Sequence, residues 1–357
     1  MKKCGIKKFF LLSGISLGAM FFIIVIYIGI MWGNQIVTLS SLKQVNGNNK
    51  NYPFYTMTYK GDYGFNDYLQ VGSKSQNEYY DFISKKTMNG VNEPSYKANP
   101  NCSSFTAIAP NGDRLLARNE DFNIIATPLL LKTNPTQGYK SMSIVNLAGL
   151  NIGLYNNKLP LPLSMNSINI LGAPYMPWDG VNEHGVAICI LTAAGSSSSE
   201  DKNKITINDF SLMRMVLDKT SSINEAVNMI KNYNMVFYDP SLQSHFMIAD
   251  ATGASVVVEY IRGKMQTIYS NKPYQIVTNF ILYYNLDDGP GFDRYKRIEE
   301  KLNETEGILT EKEAMKLLSE NAIPGMEQWS AVYNLTQKKV YVCVDKDYET
   351  MYEFDLG

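Results

Sequence analysis

The sequence predicts an α+β fold in which antiparallel sheets are stacked and helices cover their outer faces. Strand-like and helix-like segments alternate in pairs, in the order hairpin, helix pair, hairpin, helix pair, hairpin. This pairing argues against single βαβ units, whose strands would form a parallel sheet. A basic and then strongly apolar N-terminus adds a transmembrane helix ahead of the predicted domain.

The N-terminus has the pattern of a membrane anchor. Four lysines within residues 1–8 precede an uncharged apolar stretch at 9–32. At about 1.5 Å per residue this stretch makes a helix of roughly 36 Å, against a hydrocarbon core of about 30 Å. It is longer than the apolar region of a cleaved signal peptide, so we expect an uncleaved, single-pass anchor in the cell membrane. Because basic residues stay on the cytoplasmic side, residues 1–8 are expected inside and the rest outside.

Composition narrows the functional classes. The chain has 357 residues, 45% of them hydrophobic, which is enough to bury a substantial core in one large or two smaller domains. Its formal net charge is −1 and it has no basic run beyond the N-terminus, so nucleic-acid binding is not expected. We expect no cofactor and no metal ion.

Residues 33–101 are predicted to form an extracytoplasmic prosegment or stalk ahead of a catalytic domain at 102–357. The stretch 51–59 is extended and aromatic in character, and the apolar positions of 66–86 fit a helix that docks one face. A segment with this many aromatic residues is not expected to be wholly disordered.

A hairpin at the start of the predicted domain brings chemically active side chains together. Cys102 begins a strand-like run that ends at Asn111-Gly112, the strongest short hairpin signal. The returning strand ends in Arg118-Asn119-Glu120-Asp121. Because the strands are antiparallel, Arg118 or Asp121 can lie beside Cys102. A thiol, a guanidinium and a carboxylate are therefore expected at the open end of this hairpin.

The middle of the chain predicts strands around an aromatic loop. Strand-like runs occur at 141–145 and 167–171, and the loop Pro174-Tyr175-Met176-Pro177-Trp178 follows. Tyr175 and Trp178 are candidate substrate-binding residues, although such a loop by default packs its own side chains. A Gly-bounded turn from Asp179 to Gly185 then leads into a strand that ends near Thr192.

The second half supplies the remaining pairs. A helix is predicted over 208–219, and a second begins at the capping residue Ser222. The later elements are a hairpin at 246–260, a strand end at Thr278-Asn279, a helix opening at Gly291, a helix with the capping box Thr310 and Glu313, and closing strands near 329–333, 339–344 and 351–354.

The four cysteines do not form a predicted disulfide framework. Cys4 lies on the other side of the expected membrane from the rest, and Cys189 and Cys343 sit in apolar, strand-like runs that favour buried, inert thiols. Cys102 is the one cysteine with polar neighbours in the sequence.

Several of these segments together resemble a known enzyme family. Cys102-Ser103-Ser104 and Leu116 to Asp121 resemble the start of the mature chain of choloylglycine hydrolases, the bile salt hydrolases and penicillin V acylases. The stretches 179–185, 246–260, 275–279 and 291–297 are similar to later parts of the same family, in the same order. The family's cysteine is the first residue of the active enzyme, whereas a hundred residues precede Cys102 here.

The resemblance implies a four-layer αββα sandwich of the N-terminal-nucleophile type and a set of catalytic roles. Cys102 would be the nucleophile, with Arg118 and Arg294 holding its thiolate and Asn279 binding the oxyanion. Arg297 is the register alternative to Arg294. Thr192 stands where the family has an asparagine that helps to bind the oxyanion.

The proton acceptor implied by the resemblance is the amine of Cys102 itself. Cleavage before Cys102 would free an α-amine with a pKa near 8, which Asp121 would orient. Related acyltransferases and acid amidases mature through an N-to-S acyl shift, so the resemblance suggests self-cleavage here as well. The two histidines, His184 in a turn and His245 at a strand start, are expected at the surface or in caps.

The implied activity is hydrolysis of a linear amide in an N-acylated small molecule, such as an N-acyl amino acid, a bile salt, an N-acyl homoserine lactone or penicillin V. Two alternatives stay open: acyl transfer of the isopenicillin N acyltransferase type, and an uncleaved, non-catalytic binding protein tethered to the membrane. A homo-oligomer is also open.

Overall fold

The computed structural model describes residue 29 and residues 32–47, 52–87, 101–123, 127–152, 168–239 and 243–357. Residues 32–40 are helical. The strands are β1 (Lys43–Gln44), β2 (Tyr55–Thr58), β3 (Asn101–Ile108), β4 (Arg114–Asp121), β5 (Pro128–Thr133), β6 (Ser141–Asn146), β7 (Pro177–Asn182), β8 (Ala187–Thr192), β9 (Ile205–Asn208), β10 (Tyr233–Val236), β11 (Ser244–Ala249), β12 (Ser255–Ile261), β13 (Lys264–Ile268), β14 (Ile276–Val277), β15 (Glu327–Asn334), β16 (Lys339–Val344) and β17 (Tyr352–Asp355). The α-helices are α1 (Phe65–Val71), α2 (Gln76–Thr87), α3 (Asp209–Lys219), α4 (Ile223–Ile230), α5 (Phe292–Glu304) and α6 (Glu311–Asn321).

Two large sheets form the body of the molecule. The nine-stranded sheet has the order β1-β2-β5-β6-β7-β8-β11-β12-β13, and the six-stranded sheet has the order β14-β3-β4-β15-β16-β17. Strands β9 and β10 form a separate parallel pair. Nearly all pairings in the large sheets are antiparallel, as the paired order of the elements predicts.

Three apolar clusters show how the layers are stacked. The cluster between the sheets joins Ile144 and Met247 of the nine-stranded sheet to Leu116 and Trp329 of the six-stranded sheet. The other face of the nine-stranded sheet packs against α3 and α4, and the other face of the six-stranded sheet packs against α5 and α6. The layers therefore run helix, sheet, sheet, helix, and the mixed α+β prediction is confirmed.

The first predicted hairpin is present, and its turn spans residues 109–113. Cys102 faces Glu120 across the β3–β4 pair, and Ile108 faces Arg114 beside the turn. The second hairpin, β11–β12, is also present, as is the capping box of Thr310 and Glu313 at α6. The strand predicted at 167–171 is wrong for its described residues 168–171, which belong to a turn of 3₁₀-helix at Asn169–Tyr175. Gly172 and Pro174 within that turn both disfavour a strand.

Residues 43–47 and 52–87 are part of the sheet and its helical cover. Strand β2 pairs in parallel with β5, and β1 pairs with β2, so these residues extend the nine-stranded sheet. Helices α1 and α2 bury Tyr68, Tyr79 and Ile83 in the outer apolar cluster. Of the predicted prosegment or stalk at 33–101, residues 43–47 and 52–87 therefore pack as part of the fold.

The membrane prediction concerns residues that lie almost wholly outside the described part. Within the described ranges, no helix has the length and apolar character needed to cross a membrane.

Candidate active site

The site begins at the open end of the β3–β4 hairpin. Side chains alternate between the faces of a strand, so Cys102, Arg118 and Glu120 share the face between the sheets, while Asp121 points toward the helices α5 and α6. All four side chains are buried. The hairpin thus brings Cys102 and Arg118 together, as the sequence predicts, but the carboxylate beside the thiol is that of Glu120, while Asp121 lies on the other face of β4.

The Cys102 thiol lies between a carboxylate and a guanidinium. Its Sγ atom is 3.3 Å from Glu120 Oε2 and 3.5 Å from Arg118 Nη2. Arg118 also forms a salt bridge to Glu120 Oε2 through the same nitrogen. Burial raises the pKa of the Cys102 thiol to about 11, against the opposing effect of the Arg118 charge. The thiol is therefore neutral near pH 7 in the continuous chain and needs a proton acceptor to react.

Arg118 is held by a second carboxylate. Its Nη1 donates to Asp179 Oδ2 at 2.9 Å and to the Trp178 carbonyl at 2.5 Å. Asp179 also accepts from Trp329 Nε1 at 3.1 Å and from the Tyr333 hydroxyl. Burial raises the pKa of Asp179, and the Arg118 charge opposes that shift. These contacts fix the guanidinium in position beside Sγ.

Asn279 follows the short strand β14, which pairs with β3, and its carboxamide meets the backbone of Cys102. Its Oδ1 accepts from the Cys102 backbone nitrogen at 3.0 Å and from Arg294 Nη2 at 2.7 Å. Its Nδ2 donates to the Thr192 carbonyl at 2.8 Å. Because two donors meet Oδ1 and an acceptor meets Nδ2, the orientation of the amide is determined by its partners. An amide NH₂ has two hydrogens, and the described contacts occupy one of them.

Arg294 reaches the site from the first turn of α5. Its Nη1 donates to the Cys102 carbonyl at 2.7 Å and lies 3.7 Å from Asp121 Oδ2. The helix begins after Gly291, whose φ of 77° suits glycine, and a Cβ there would lie 2.7 Å from Arg294 Nη2. Arg297, the register alternative, instead pairs with Asp293 and Asn321 at the surface. The structure therefore selects Arg294.

Asp121 lies at the edge of this network. Its Oδ1 accepts from the Ile323 backbone nitrogen at 3.0 Å, and its Oδ2 faces Arg294. Burial raises the pKa of Asp121 to about 6, and the Ile323 hydrogen bond and the Arg294 charge oppose the shift. In the continuous chain the Cys102 nitrogen donates to Asn279, so the predicted pairing of Asp121 with a free amine stays a prediction.

The three candidate substrate-binding residues, Thr192, Trp178 and Tyr175, differ in their burial and in the residues that they contact. Thr192 ends β8 half-buried, and its carbonyl holds Asn279. Trp178 is half-buried between Phe122 and Phe210. Tyr175 is fully buried against helices α1 and α2 and the residues before them. Its hydroxyl donates to the Tyr63 carbonyl, and its own carbonyl accepts from Tyr79.

Sequence reasoning missed Glu120, Asp179 and His245 as site residues. Glu120 could have been found, because strand alternation puts residues 118 and 120 on one face. The expected surface position of His245 is wrong: it is fully buried, with Nδ1 3.0 Å from Glu259 Oε1 and Nε2 2.7 Å from the Thr278 carbonyl. His184 is exposed, as expected for a turn residue.

The other cysteines of the described part are free and buried. Cys189 donates to Ser104 Oγ at 3.4 Å, and burial raises the pKa of its thiol to about 11. Cys343 is buried in the six-stranded sheet. Within the described ranges no cluster of His, Cys, Asp and Glu has an arrangement that could hold a metal ion.

Comparison with known proteins places this constellation in a family. The profile of linear amide C-N hydrolases, choloylglycine hydrolase family, matches residues 102–314, which is more than half of the 357-residue chain. The chain is 31% identical over 111 residues to a penicillin V acylase of Pectobacterium atrosepticum, covering 28% of this chain and 29% of the relative. It is 34% identical over 101 residues to a bile salt hydrolase/transferase of Clostridium perfringens, covering 26% of this chain and 31% of the relative. The aligned part thus spans less than a third of either relative.

Solved structures give similar neighbours. A variant of the conjugated bile acid hydrolase from Clostridium perfringens aligns with 71% of this chain and 92% of its own, at 18% identity and a TM-score of 0.48. The penicillin V acylase from Agrobacterium tumefaciens aligns with 71% of this chain and 86% of its own, also at 18% identity and a TM-score of 0.48. From the family profile, which starts at the buried cysteine of β3, we conclude that the chain belongs to the choloylglycine hydrolase family of linear amide C-N hydrolases.

Proposed function

We propose that the protein hydrolyses the linear amide C–N bond of an N-acylated small molecule, with Cys102 as the nucleophile. One observation carries this proposal: the thiol of Cys102, its backbone nitrogen and the carboxamide of Asn279 lie in one buried network with Arg118 and Arg294. Membership in a family of amide hydrolases supports it.

The chemistry follows from the parts of the network. After cleavage before Cys102, its nitrogen becomes an α-amine with a reference pKa near 8 and accepts the thiol proton. The thiolate, beside Arg118, attacks the substrate carbonyl carbon. The second hydrogen of Asn279 Nδ2 binds the developing oxyanion, and losing such a donor costs about 10² to 10³ in rate. The amine returns its proton to the leaving nitrogen, and water then hydrolyses the thioester.

Asp121 and Arg294 complete this proposal. Asp121 orients the amine of Cys102 once it is free, and Arg294 keeps the Cys102 carbonyl and Asn279 in fixed relation. The substrate class follows the names of the relatives, a penicillin V acylase and a bile salt hydrolase/transferase. Thr192 and Trp178 are half-buried, and their carbonyls contact Asn279 and Arg118 of this network.

The experiment that tests the proposal combines intact mass, N-terminal sequencing and turnover. Wild-type protein is expected to contain a chain that begins at Cys102 and to hydrolyse at least one of penicillin V, a glycine-conjugated bile salt, an N-acyl amino acid and an N-acyl homoserine lactone. Cys102→Ser is expected to lose this activity. A wild-type chain that is active while residue 101 is still bonded to Cys102 would falsify the mechanism, and the addition of amine acceptors to the assay tests for acyl transfer.

We further propose that residues 9–32 anchor the protein in the cell membrane with the catalytic domain outside. The uncharged apolar run of that segment and its preceding lysines support this proposal. Extraction of a membrane fraction tests it: the full chain should resist high salt and be released by detergent, and release by salt alone would contradict it.

A further inference from the structure

The proposed mechanism leaves the cleavage step before Cys102 without a base. Until the bond between Asn101 and Cys102 is broken, the Cys102 nitrogen is a peptide amide, and in this structure it donates its hydrogen to Asn279 Oδ1. An amide nitrogen has no proton affinity near neutral pH, so it cannot activate the thiol. Another group must take that proton if the chain cuts itself.

Glu120 is in contact with the proton that has to move. Its Oε2 lies 3.3 Å from Cys102 Sγ, which is hydrogen-bonding distance for sulfur. The two residues face each other across the β3–β4 pair, so the backbone ladder itself sets their separation. Both side chains are fully buried, which excludes bulk water from the contact.

Arg118 lowers the free-energy cost of moving the proton within a buried site. Its Nη2 contacts both Sγ and Glu120 Oε2, and within the described part of the chain nothing donates to Glu120 Oε1. When the proton moves from sulfur to Glu120, the negative charge moves from one neighbour of Arg118 to the other. The total charge of the cluster does not change, so no additional charge has to be buried.

The other titratable groups near the thiol are engaged elsewhere. Asp179 accepts hydrogen bonds from Arg118, Trp329 and Tyr333. Asp121 faces Arg294 and the Ile323 nitrogen on the opposite face of β4. His245 is bonded to Glu259 and to the Thr278 carbonyl. In the described contacts, the carboxylate that accepts from the thiol is that of Glu120.

We propose that Glu120 is the catalytic base of self-cleavage at the bond between Asn101 and Cys102. Its carboxylate takes the Sγ proton, and the thiolate adds to the Asn101 carbonyl carbon. The C–N bond then breaks as Glu120 returns the proton to the Cys102 nitrogen. This leaves a thioester between Asn101 and Sγ together with a free amine. Water hydrolyses the thioester to the Asn101 carboxylate and the thiol. The inference rests on the proposed function, which needs that amine.

The test follows the cut in the full-length chain. Wild type, Glu120→Gln and the control Glu299→Gln, a helix α5 glutamate that pairs with exposed lysines, are purified in the same way. Intact mass then gives the uncut fraction with time. A general base contributes about 10² to 10⁴ in rate. We expect Glu120→Gln to cut at least about 100-fold more slowly than wild type, and Glu299→Gln to match wild type. Thermal unfolding checks that the variants are folded.

Hydroxylamine at neutral pH separates the two halves of the reaction, because under these mild conditions it cleaves thioesters and leaves peptide bonds intact. The three Asn-Gly bonds of the chain are cleaved by hydroxylamine only in hot alkaline solution. In Glu120→Gln we expect it to release no Asn101 hydroxamate, since the acyl shift has not taken place. Release of the hydroxamate, or a wild-type rate of cutting, overturns the role of Glu120. If Glu120→Gln does not fold, Glu120→Asp decides: cutting slowed about tenfold or more supports the role, and unchanged cutting refutes it. A wild-type chain that never cuts refutes the proposed function itself, which is a different result.

Discussion

At the scale of single residues, Arg118 places a positive charge beside the Cys102 thiol, and this charge opposes the rise in the thiol's pKa that burial causes. Its two terminal nitrogens divide their contacts, Nη1 toward Asp179 and the Trp178 carbonyl and Nη2 toward Glu120 and Cys102. A planar guanidinium suits such a position because its donors are arranged in a fixed fork, which a lysine lacks. The residue was predictable because the hairpin turn sets the register. Its partner Asp179 was not predictable, because Asp179 lies on the nine-stranded sheet and not on the hairpin of Arg118.

The raised pKa of Asp121 gives a prediction about stability. Its pKa in the folded chain is about 6, against 3.8 for the ordinary side chain, so between these values the folded state binds more protons than the unfolded state. Stability therefore falls as pH rises through this window and is lowest above it. Two pKa units correspond to at most about 3 kcal/mol.

We expect Asp121→Asn to remove most of this destabilisation, because the neutral amide carries no charge to bury. The attraction between Asp121 and Arg294 is lost at the same time, which reduces the gain. Denaturant unfolding should show the variant more stable than wild type at pH 8, with the difference shrinking toward pH 4, while amide hydrolysis falls. A variant less stable than wild type at pH 8 would contradict this assignment of the pKa shift.

The buried histidine predicts a positioning role next to Asn279. His245 Nε2 must donate to the Thr278 carbonyl, which is only an acceptor, and Nδ1 shares a proton with Glu259. Glu259 in turn accepts from the Leu282 and Tyr283 nitrogens. The pair therefore holds the chain on both sides of Asn279.

We expect His245→Gln to lower kcat about tenfold or more with little change in KM, since the role proposed for Asn279 is to stabilise the transition state. Leaving a buried partner unsatisfied should also cost about 1–3 kcal/mol of stability. Steady-state kinetics and unfolding measure the two effects. The chain's other histidine provides the control, because His184→Gln at an exposed turn should leave both unchanged, and a larger rise in KM than fall in kcat would count against positioning.

At the scale of elements, the hairpin turn and the helix starts were predicted well, because they depend on residues that are neighbours in the sequence. The turn signal Asn111-Gly112 marked the β3–β4 hairpin, and the capping residues Ser222 and Thr310 marked the starts of α4 and α6. Strand β2 could not be assigned to a sheet from sequence. It pairs in parallel with β5 more than seventy residues later, and nothing local encodes so distant a pairing.

The region before the nucleophile makes a testable contribution to the core. Phe54 is fully buried in the cluster between the sheets, and its ring contacts Tyr352 and Phe354 of β17. Replacing a buried phenylalanine by alanine costs about 3–5 kcal/mol. We therefore expect Phe54→Ala to lower the free energy of unfolding by that amount in a denaturant titration. Val71→Ala, at a side chain that is 66% exposed, should change it by less than about 0.5 kcal/mol.

At the scale of the whole molecule, residues 52–87 pack together with the residues after Cys102. Beyond the β2–β5 pairing, Tyr63 donates to Asp218 at 2.6 Å, and Tyr79 donates to the Tyr175 carbonyl. The aromatic content of this stretch predicted that it would dock, but its partners come from distant parts of the chain. The packing of residues 52–87 on the rest of the fold therefore crosses the predicted boundary at residue 102.

A cut chain should therefore stay together. After cleavage before Cys102, the piece that contains residues 32–87 is expected to co-elute with the piece that begins at Cys102 in native gel filtration and to separate from it in denaturant. Two separate native peaks would contradict the packing of β2 on β5. Phe54→Ala, which weakens the same contact, provides a graded control, because it should lower the denaturant concentration at which the pieces part.

The place of β2 beside β5 also bears on how the protein can be produced. A gene that starts at codon 102 would leave β5 as the outer strand of its sheet. The main-chain N–H and C=O groups of β5 that face β2 would be unpaired, and Leu129 and Leu131 would lose apolar neighbours. Such an exposed apolar edge pairs readily with strands from other molecules. We therefore expect protein made without strand β2 to aggregate more readily than the full chain.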